Sequence, residues 1–521
     1  MSAVALVLAV VAVCGFVAVM LETRSTGPGI EPDSAVYLGV AHNLAHGHGL
    51  TVPFTTYTDR YTPAQAIDHY GRFPLQHFPP LYPLALALGG GGSLWIRLLG
   101  ALLFAVNLVL VGLLALQMSG PLRVAAICAA GVTLVSPGGG LQIPWLALHG
   151  SALSEPLFLA CALGAFLALV LWLRSPNRRR WFWVAAALAA AATLTRYVGF
   201  TVALTAAVVI LVWARGAVRV RLRHALVFAA TGMGPAALFL AIQRTRGAAT
   251  RTVRFHPPGD VVGSLRELVT GWLGFQSTPH VFSVIVPTVV VLALAAIGVS
   301  VRRRRRTDPG IMVVRVLVVF VPVYVLGVLA ARTWFDASTP IDDRLLSPAR
   351  GALYLLLFGA PAFLLARRAR TRAALATASV AFVAVAVAMA STSARSLEHS
   401  VVDHHPRATD IAPLRHVLAG VPGGTFIATN SPDRVYVATG RSSIFTPSHR
   451  DPVTDDANPR FVDEVHQLGH LLQREHGVLV MSDAPTFLTY RARRDQIQAL
   501  LPQLRVIAHV GQFWVMEMPP R

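Results

Sequence analysis

Residues able to move protons or hold charge are scarce in this 521-residue chain, so their positions are the first clue to its chemistry. Glu155 lies inside an otherwise apolar stretch, SALSEPLFLA (151–160). An ionisable side chain at such depth is costly and faces a cavity or a partner, which makes Glu155 a site candidate. A helix-capping or packing role beside Pro156 is the plainer alternative. Asp33 opens the segment DSAVYLGVAHNLAH (33–46), where a carboxylate is suited to capping a helix. His42, His46 and His48 follow as an H-x3-H-x-H cluster, a spacing that can ligate a divalent metal and that also arises by chance in polar loops. No cofactor is required by these residues, and a divalent metal stays open. Asp59 and Asp68 are further acids, with nothing in their spacing to single one out.

These side chains must be positioned by an apolar framework. The chain is 54% hydrophobic and only 13% charged. Apolar runs recur near 1–21, 94–117, 121–136, 151–173, 181–195, 197–213, 225–242, 281–301, 311–331, 349–366 and 373–390. A helix of about 20 residues spans the roughly 30 Å hydrocarbon core of a bilayer, and only there-satisfied backbone, a helix, is viable in such runs. The expected fold is therefore an α-helical polytopic membrane protein of about eleven spans, three of them short. Cys14, Cys128 and Cys161 all fall within spans, so no disulfide framework is expected.

All 45 basic residues are Arg, which excludes lysine chemistry. They cluster in Arg174 with Arg178–Arg180, in Arg215, Arg219, Arg221 and Arg223, in Arg302–Arg306, and in Arg367, Arg368, Arg370 and Arg372. Alternation of the spans puts these clusters on one side, which the positive-inside rule makes cytoplasmic. Topology thus accounts for the basic runs, and nucleic acid is not an expected partner. The N-terminus is expected inside, its first span an uncleaved signal anchor, and residues 391–521 outside. Outside loops then hold most of the carboxylates of residues 1–390, so the chemistry is expected on the extracytoplasmic face of a plasma-membrane protein.

The first outside loop, between the first two spans, is too long to be structureless in a compact protein. Residues 33–46 read as one helix, with Val36, Val40 and Leu44 on an apolar face and Gly47 and Gly49 beyond its end. HFPPLYPLALAL (77–88) reads as a Pro-rigidified turn followed by a second short helix. Two such interfacial helices frame a polar cavity at the outer leaflet.

At these residues the chain resembles the GT-C superfamily of polytopic glycosyltransferases, which use polyprenyl-phosphate-linked sugars. EPDSAVYLGVAHNLAHGHGL (31–50) resembles the first-loop motif, with its acid and, at Tyr37, an aromatic four residues on. HFPPLYPLALAL resembles the Pro-Pro juxtamembrane helix, SALSEPLFLA the Ser-Glu-Pro span start, and LTRYVGF (194–200) the Arg-Tyr junction. DDRLLSPARGALYLL (342–356) resembles the Asp-Arg-Tyr-Leu-x-Pro motif, with Leu345 where Tyr is common. The resemblance implies transfer of a sugar from a lipid phosphate to an acceptor hydroxyl, with Asp33 in the place of the catalytic base. The donor phosphate then needs cations near the membrane surface, for which Arg196 and Arg344 are the outside-facing candidates, with Arg332 and Arg350 behind them. Interfacial snorkelling is the alternative for each. His77 and Tyr82 line the cavity as hydrogen-bonders or serve structure alone. The implied partners are a polyprenyl-phosphate sugar donor, a glycan, lipid or protein acceptor, and membrane lipid.

Residues 391–521 are polar and balanced in charge, and they divide the chain into a membrane domain (1–390) and a small extracytoplasmic α/β domain (391–521). Helices are expected near 407–419, over 461–475 and over 488–500. Strands are expected at 424–429, 434–439 and 477–482 and within LRVIAHVGQFWVMEM. This domain has no evident nucleophile–base pair; it is expected to bind acceptor, cover the cavity, or act as a stabilising cap. A transporter or flippase of lipid-linked sugar, or a non-catalytic envelope assembly factor, is the competing reading. The asymmetric long first loop and the lack of an internal repeat favour the enzyme.

Overall fold

The computed structural model describes residues 3–56, 59, 61–120, 122–135, 145–246, 255–257, 259–272, 308–335, 339, 341–368, 371–400, 408–451, 456–483 and 492–519. The expected span at 281–301 and the Arg302–Arg306 cluster lie outside them. Every other expected span coincides with a helix: α1 (Ala3–Thr26), α5 (Ser93–Ser119), α6 (Val124–Leu134), α8 (Glu155–Arg174), α9 (Arg179–Thr195), α10 (Phe200–Trp213), α11 (Val218–Thr245), α13 (Pro309–Trp334), α14 (Asp343–Arg368) and α15 (Arg372–Ser400). Six helices among the described residues, α1, α5, α8, α11, α13 and most of α14, are long and apolar enough to cross a membrane. The chain is a multi-pass membrane protein in architecture.

Two boundaries differ from expectation in ways that matter. Helix α14 begins at Asp343, well before the apolar run at 349, so Arg344 stands on a rigid first turn. Helix α8 begins at Glu155, a few residues after the expected start of that span at 151, so Glu155 occupies its first turn. Pro156 accounts for this, because a proline is tolerated in the first turn, where its missing N–H is not needed. Further on, α15 continues past residue 390 to Ser400.

The bundle is held by close packing of small residues. On α9, Ala185, Ala186, Ala189 and Ala192 are buried, facing a core that includes Phe166 and Phe228. Small side chains let helix backbones approach where lipid gives no hydrophobic drive between helices. The chain leaves α9 through a single 3-10 turn, Tyr197–Gly199, into α10. A Cβ on Gly199 would sit 2.4 Å from the Ala192 carbonyl, so only glycine fits that turn.

The first loop carries its own elements: α2 (Pro32–Ala45), β1 (Thr51–Val52), α3 (Pro63–Asp68), β2 (Phe73–Pro74) and α4 (Leu81–Ala87). Strands β1 and β2 pair antiparallel, Thr51 opposite Pro74 and Val52 opposite Phe73. Asn43 of α2 pins them, its amide donating to the Thr51 carbonyl at 3.2 Å and to that of Gly71 at 3.2 Å. The N-cap of α2 is Glu31 and not Asp33: the Glu31 N–H donates to Ser34 Oγ at 3.0 Å, Pro32 opens the helix, and Asp33 lies within the first turn. A short helix α7 (Trp145–Gly150) precedes α8, and α12 (Val261–Trp272) precedes α13 in the chain.

The C-terminal region is a mixed sheet in the order β4-β3-β5-β7-β6, from β3 (Ile427–Thr429), β4 (Ile444–Phe445), β5 (Val478–Ser482), β6 (Arg505–Val510) and β7 (Phe513–Glu517). β3 runs parallel to both β4 and β5, and β7 is antiparallel to β5 and β6. Helices α16 (Ala408–Ala419), α17 (Pro432–Thr439), α18 (Phe461–Arg474) and α19 (Arg494–Leu500) pack around it. The expected strand at 434–439 is helix α17. Pro432 starts it, Gly440 ends it with φ +69°, and Pro432, Val435, Tyr436 and Ala438 are buried, Tyr436 against the first loop and Val435 with Ala438 against α16 and the sheet. Its β-branched and aromatic residues favour a strand, but burial at helical spacing outweighs that weak preference. Residues 488–491 of the expected helix 488–500 lie outside the described residues.

This sheet shares a hydrophobic core with the first loop: Val36, Val40, Phe54 and Phe73 pack with Phe426, Tyr436, Ile444 and Leu479. Tyr70 fixes the join, its hydroxyl donating to the Ser442 carbonyl at 2.7 Å and accepting from the Ile427 N–H at 3.1 Å. Thr55 Oγ1 likewise accepts from the Phe445 N–H at 2.6 Å.

Candidate functional site

Four separate segments bring charge to one end of the bundle. Glu155 begins α8 there, and its carboxylate is only 2% exposed. Arg196 follows α9 directly, and its extended backbone (φ −146°, ψ 134°) turns its side chain back toward the start of α8. Arg196 Nη1 lies 2.6 Å from Glu155 Oε1 and donates to Ser154 Oγ at 3.1 Å. Arg344, on the first turn of α14, places Nε 3.4 Å from the same Glu155 oxygen and Nη2 2.9 Å from Asp33 Oδ2. Two guanidiniums thus interleave with two carboxylates from the first loop and three helices. A buried acid is tolerable only when paired in this way.

Neighbouring groups hold that arrangement. Tyr37, one turn beyond Asp33 on α2, is buried and its hydroxyl lies 3.0 Å from Ser154 Oγ. Burial and the nearby Asp33 raise the Tyr37 phenol well above its ordinary range, so it stays protonated. Its ring packs edge-on against Tyr82 of α4 at 5.1 Å and against Phe78 at 5.2 Å. Tyr324 of α13 donates to the Leu345 carbonyl at 2.7 Å, and the Leu345 N–H donates to Asp342 Oδ1 at 2.8 Å. Burial raises Asp342, with Arg344 opposing that shift.

Asp33, Glu155, Arg196, Arg344 and Tyr37 therefore come together. Tyr82 borders the cluster: its ring packs against Tyr37, and burial, Tyr37 and Glu155 together raise its phenol. His77 belongs to a second group, 3.0 Å from Asp59 Oδ1. Asp59 also accepts from Gln76 Nε2 at 2.7 Å and from the Thr56 N–H at 2.6 Å. Burial pushes Asp59 up, yet the His77 hydrogen bond and charge and these donors together hold it below the ordinary carboxylate value. Tyr197 ties the two groups, donating from the residue after Arg196 to the Gln76 carbonyl at 3.0 Å. Gln243 at the end of α11 donates to the Leu75 carbonyl.

Arg332 and Arg350 are not in the cluster. Arg332 donates to the Thr339 carbonyl at 2.6 Å, and Arg350 is fully buried against Asp343 at 2.8 Å. Among the described residues no group of three His, Cys, Asp or Glu is placed to hold a metal, so His42, His46 and His48 form no such site. Burial first, then the charges of His46 and His48, lower the His42 imidazole. Gln76 and Tyr324 were not singled out from sequence, and Ser154 and Tyr197 entered only as members of the Ser-Glu-Pro and Arg-Tyr segments. The only signal for Ser154 and Tyr197 was their place beside Glu155 and Arg196.

The other ends of these helices carry the arginines that follow the spans. Arg174 donates to Gln117 Oε1 near the end of α5, and Arg221 to the carbonyls of Leu211 and Val212 near the end of α10. Site and arginine-rich connections thus occupy opposite ends of the bundle.

The fold is similar to that of solved structures. ArnT from Cupriavidus metallidurans in the apo state matches with a TM-score of 0.53, 16% identity and 99% of both chains covered. The archaeal oligosaccharyltransferase AglB from Archaeoglobus fulgidus, in complex with an inhibitory peptide and a dolichol-phosphate, matches with a TM-score of 0.51 and 12% identity, over 91% of this chain and 69% of that one. Both are GT-C superfamily members. This chain has the GT-C fold. A further structure of the Archaeoglobus fulgidus enzyme, tethered with an acceptor peptide, matches with a TM-score of 0.50, 14% identity and coverage of 91% and 68%. No family model matches the sequence, and no curated protein matches it significantly. Within the GT-C fold, the motif-like segments at 31–50, 151–160, 194–200 and 342–356 supply Asp33, Ser154 with Glu155, Arg196, and Arg344 to a single cluster. The segment at 77–88 supports it through Phe78 and Tyr82.

Proposed function

We propose that this protein is a membrane glycosyltransferase that moves a sugar from a polyprenyl-phosphate-linked donor to a hydroxyl of a cell-envelope acceptor on the extracytoplasmic face. The observation that carries the reading is the Asp33–Arg344–Glu155–Arg196 cluster, where a first-loop acid meets two arginines at one end of the helices. Glycosyl transfer is also the reaction of the neighbouring oligosaccharyltransferase, whose bound dolichol-phosphate is a lipid phosphate. The arginine-rich connections at the opposite bundle end support the orientation.

In this reading Arg344 and Arg196 hold the donor phosphate, for which guanidinium is a fitted bidentate partner. Asp33 accepts the proton of the acceptor hydroxyl as its oxygen attacks the anomeric carbon. The bond from that carbon to the phosphate oxygen breaks, its electron pair leaving on a phosphate already stable as an anion. A single displacement inverts the anomeric centre. Glu155 keeps both arginines in place, and Tyr37 and Ser154 complete the wall. The donor sugar is proposed to be mannose or arabinose. Residues 1–390 form the catalytic unit, and 391–521, packed on the helix that bears Asp33, face the acceptor.

The test is sugar transfer by purified protein in nanodiscs against a panel of polyprenyl-phosphate sugars, with Asp33→Asn alongside. Consumption of one donor, lost in folded Asp33→Asn, supports the reading. Folded wild type that consumes none while moving a lipid-linked sugar across the bilayer would establish a transporter instead.

A further inference from the structure

We propose that Arg344 is a switch shared between Asp33 and the donor phosphate, so that the base is released only when the phosphate takes its place on the guanidinium. The inference rests on the glycosyl-transfer reading and adds an order of events to it.

The geometry singles out Asp33 as the group that exchanges. Glu155 is 2% exposed and lies against both Arg196 and Arg344. Asp33 is 23% exposed and meets Arg344 through one oxygen, Oδ2 to Nη2 at 2.9 Å. Moving Glu155 away would leave a buried site with two guanidiniums facing each other. Moving Asp33 turns a partly exposed side chain on the first turn of α2 toward solvent.

Charge argues the same way. Arg344 and Arg196 already face Asp33 and Glu155, and Asp342 also acts on Arg344, so a lipid phosphate joining the cluster adds negative charge in a poorly solvated place. Displacing Asp33, the more exposed of the two paired carboxylates, offsets the added charge. Of the five guanidinium N–H donors of Arg344, Nε serves Glu155 and one on Nη2 serves Asp33. A phosphate gripped in bidentate fashion through the Nη1–Nη2 edge meets Asp33 at Nη2, where the two anions compete.

Donor phosphate therefore binds at Arg344 first, and the freed Asp33 carboxylate then accepts the acceptor's O–H proton. No bond other than the hydrogen bond at Nη2 changes in the exchange, and the transfer step follows unaltered. An acceptor arriving without donor meets an acid still held by Arg344.

The experiment measures binding of free decaprenyl monophosphate to the full chain in nanodiscs, with the uncharged decaprenol as control. Asp33→Asn removes the competing carboxylate and is expected to bind the monophosphate about tenfold more tightly than wild type, equivalent to about 1.4 kcal/mol. Asp33→Glu, which restores the charge, is expected within about twofold of wild type, and Arg344→Ala to bind more weakly. Decaprenol affinity is expected to be the same in all. If Asp33→Asn does not fold, Asp33→Ser carries the same expectation. Wild type that binds monophosphate and transfers sugar, with Asp33→Asn binding unchanged or weaker, overturns the switch and leaves the enzyme reading intact. Equal tightening for decaprenol also overturns the switch. Wild type that neither binds monophosphate nor consumes any donor overturns both.

Discussion

Arg196 reaches back from the end of α9 to Glu155 at the start of α8, Nη1 to Oε1 at 2.6 Å, and so closes one hairpin of the bundle at the site. The same Glu155 oxygen receives Arg344 from α14. One buried acid thereby sets the positions of both cations assigned to the donor phosphate. Replacing either partner of such a pair strands the other, at a cost of about 3–5 kcal/mol, whereas removing both costs less. Arg196→Met and Glu155→Leu are expected to lower thermal stability in detergent more than the double variant does. Both singles are expected to lose sugar transfer by about a hundredfold or more, and the double by no greater factor, because these residues act as one unit. Additive losses in both assays would refute the shared role.

The Asp59–His77 pair makes the first loop acid-sensitive. Asp59 is held below its ordinary value of 3.8, so it contributes stability that is fully present above that pH and lost as pH falls through its lower folded value. Wild type is expected to lose thermal stability steeply on acidification in that range. Asp59→Asn is expected to be less stable at neutral pH and flatter over the same acidic range. Parallel pH profiles for the two proteins would count against it.

Tyr70 joins the first loop to the C-terminal sheet through two hydrogen bonds, to Ser442 and from Ile427. Tyr70→Phe keeps the ring and removes both, leaving polar backbone groups unsatisfied at about 1–3 kcal/mol. The expected readout is faster amide hydrogen exchange in both β3 and β1, on opposite sides of the join. Faster exchange in one of them alone would show that the sheet and the loop are not coupled there.

Gly199 lets the 3-10 turn press against Ala192, where a Cβ would sit 2.4 Å from backbone. Gly199→Ala is expected to push the turn away and carry Arg196 with it. Misplacement by about 1 Å costs about a hundredfold in rate, so transfer is expected to fall by that order while the helices remain folded by circular dichroism. Unchanged transfer would mean that Arg196 does not need this turn.

Asp33 and Arg344 could each be picked out from sequence, as an acid beginning the first loop's helix and an arginine before a late span. Their partnership could not, because ion pairing between remote segments leaves no mark on local spacing. Asp59 and Asp68 looked alike for the same reason: only Asp59 is met by Gln76 and His77. Residues 434–439 carried the composition of a strand and became a helix, with Tyr436 packed on the first loop and Val435 and Ala438 packed on α16 and the sheet.

Hydropathy and length determined the helical spans, since a backbone in hydrocarbon has to satisfy its own hydrogen bonds whatever surrounds it. Pro and Gly likewise marked the first loop's helices, because their backbone limits act locally. Only the tertiary structure decided which acid meets which arginine, where α8 and α14 begin relative to the site, and that the C-terminal sheet shares its core with the first loop. Those outcomes depend on packing between distant segments, where burial and pairing energies exceed local preferences.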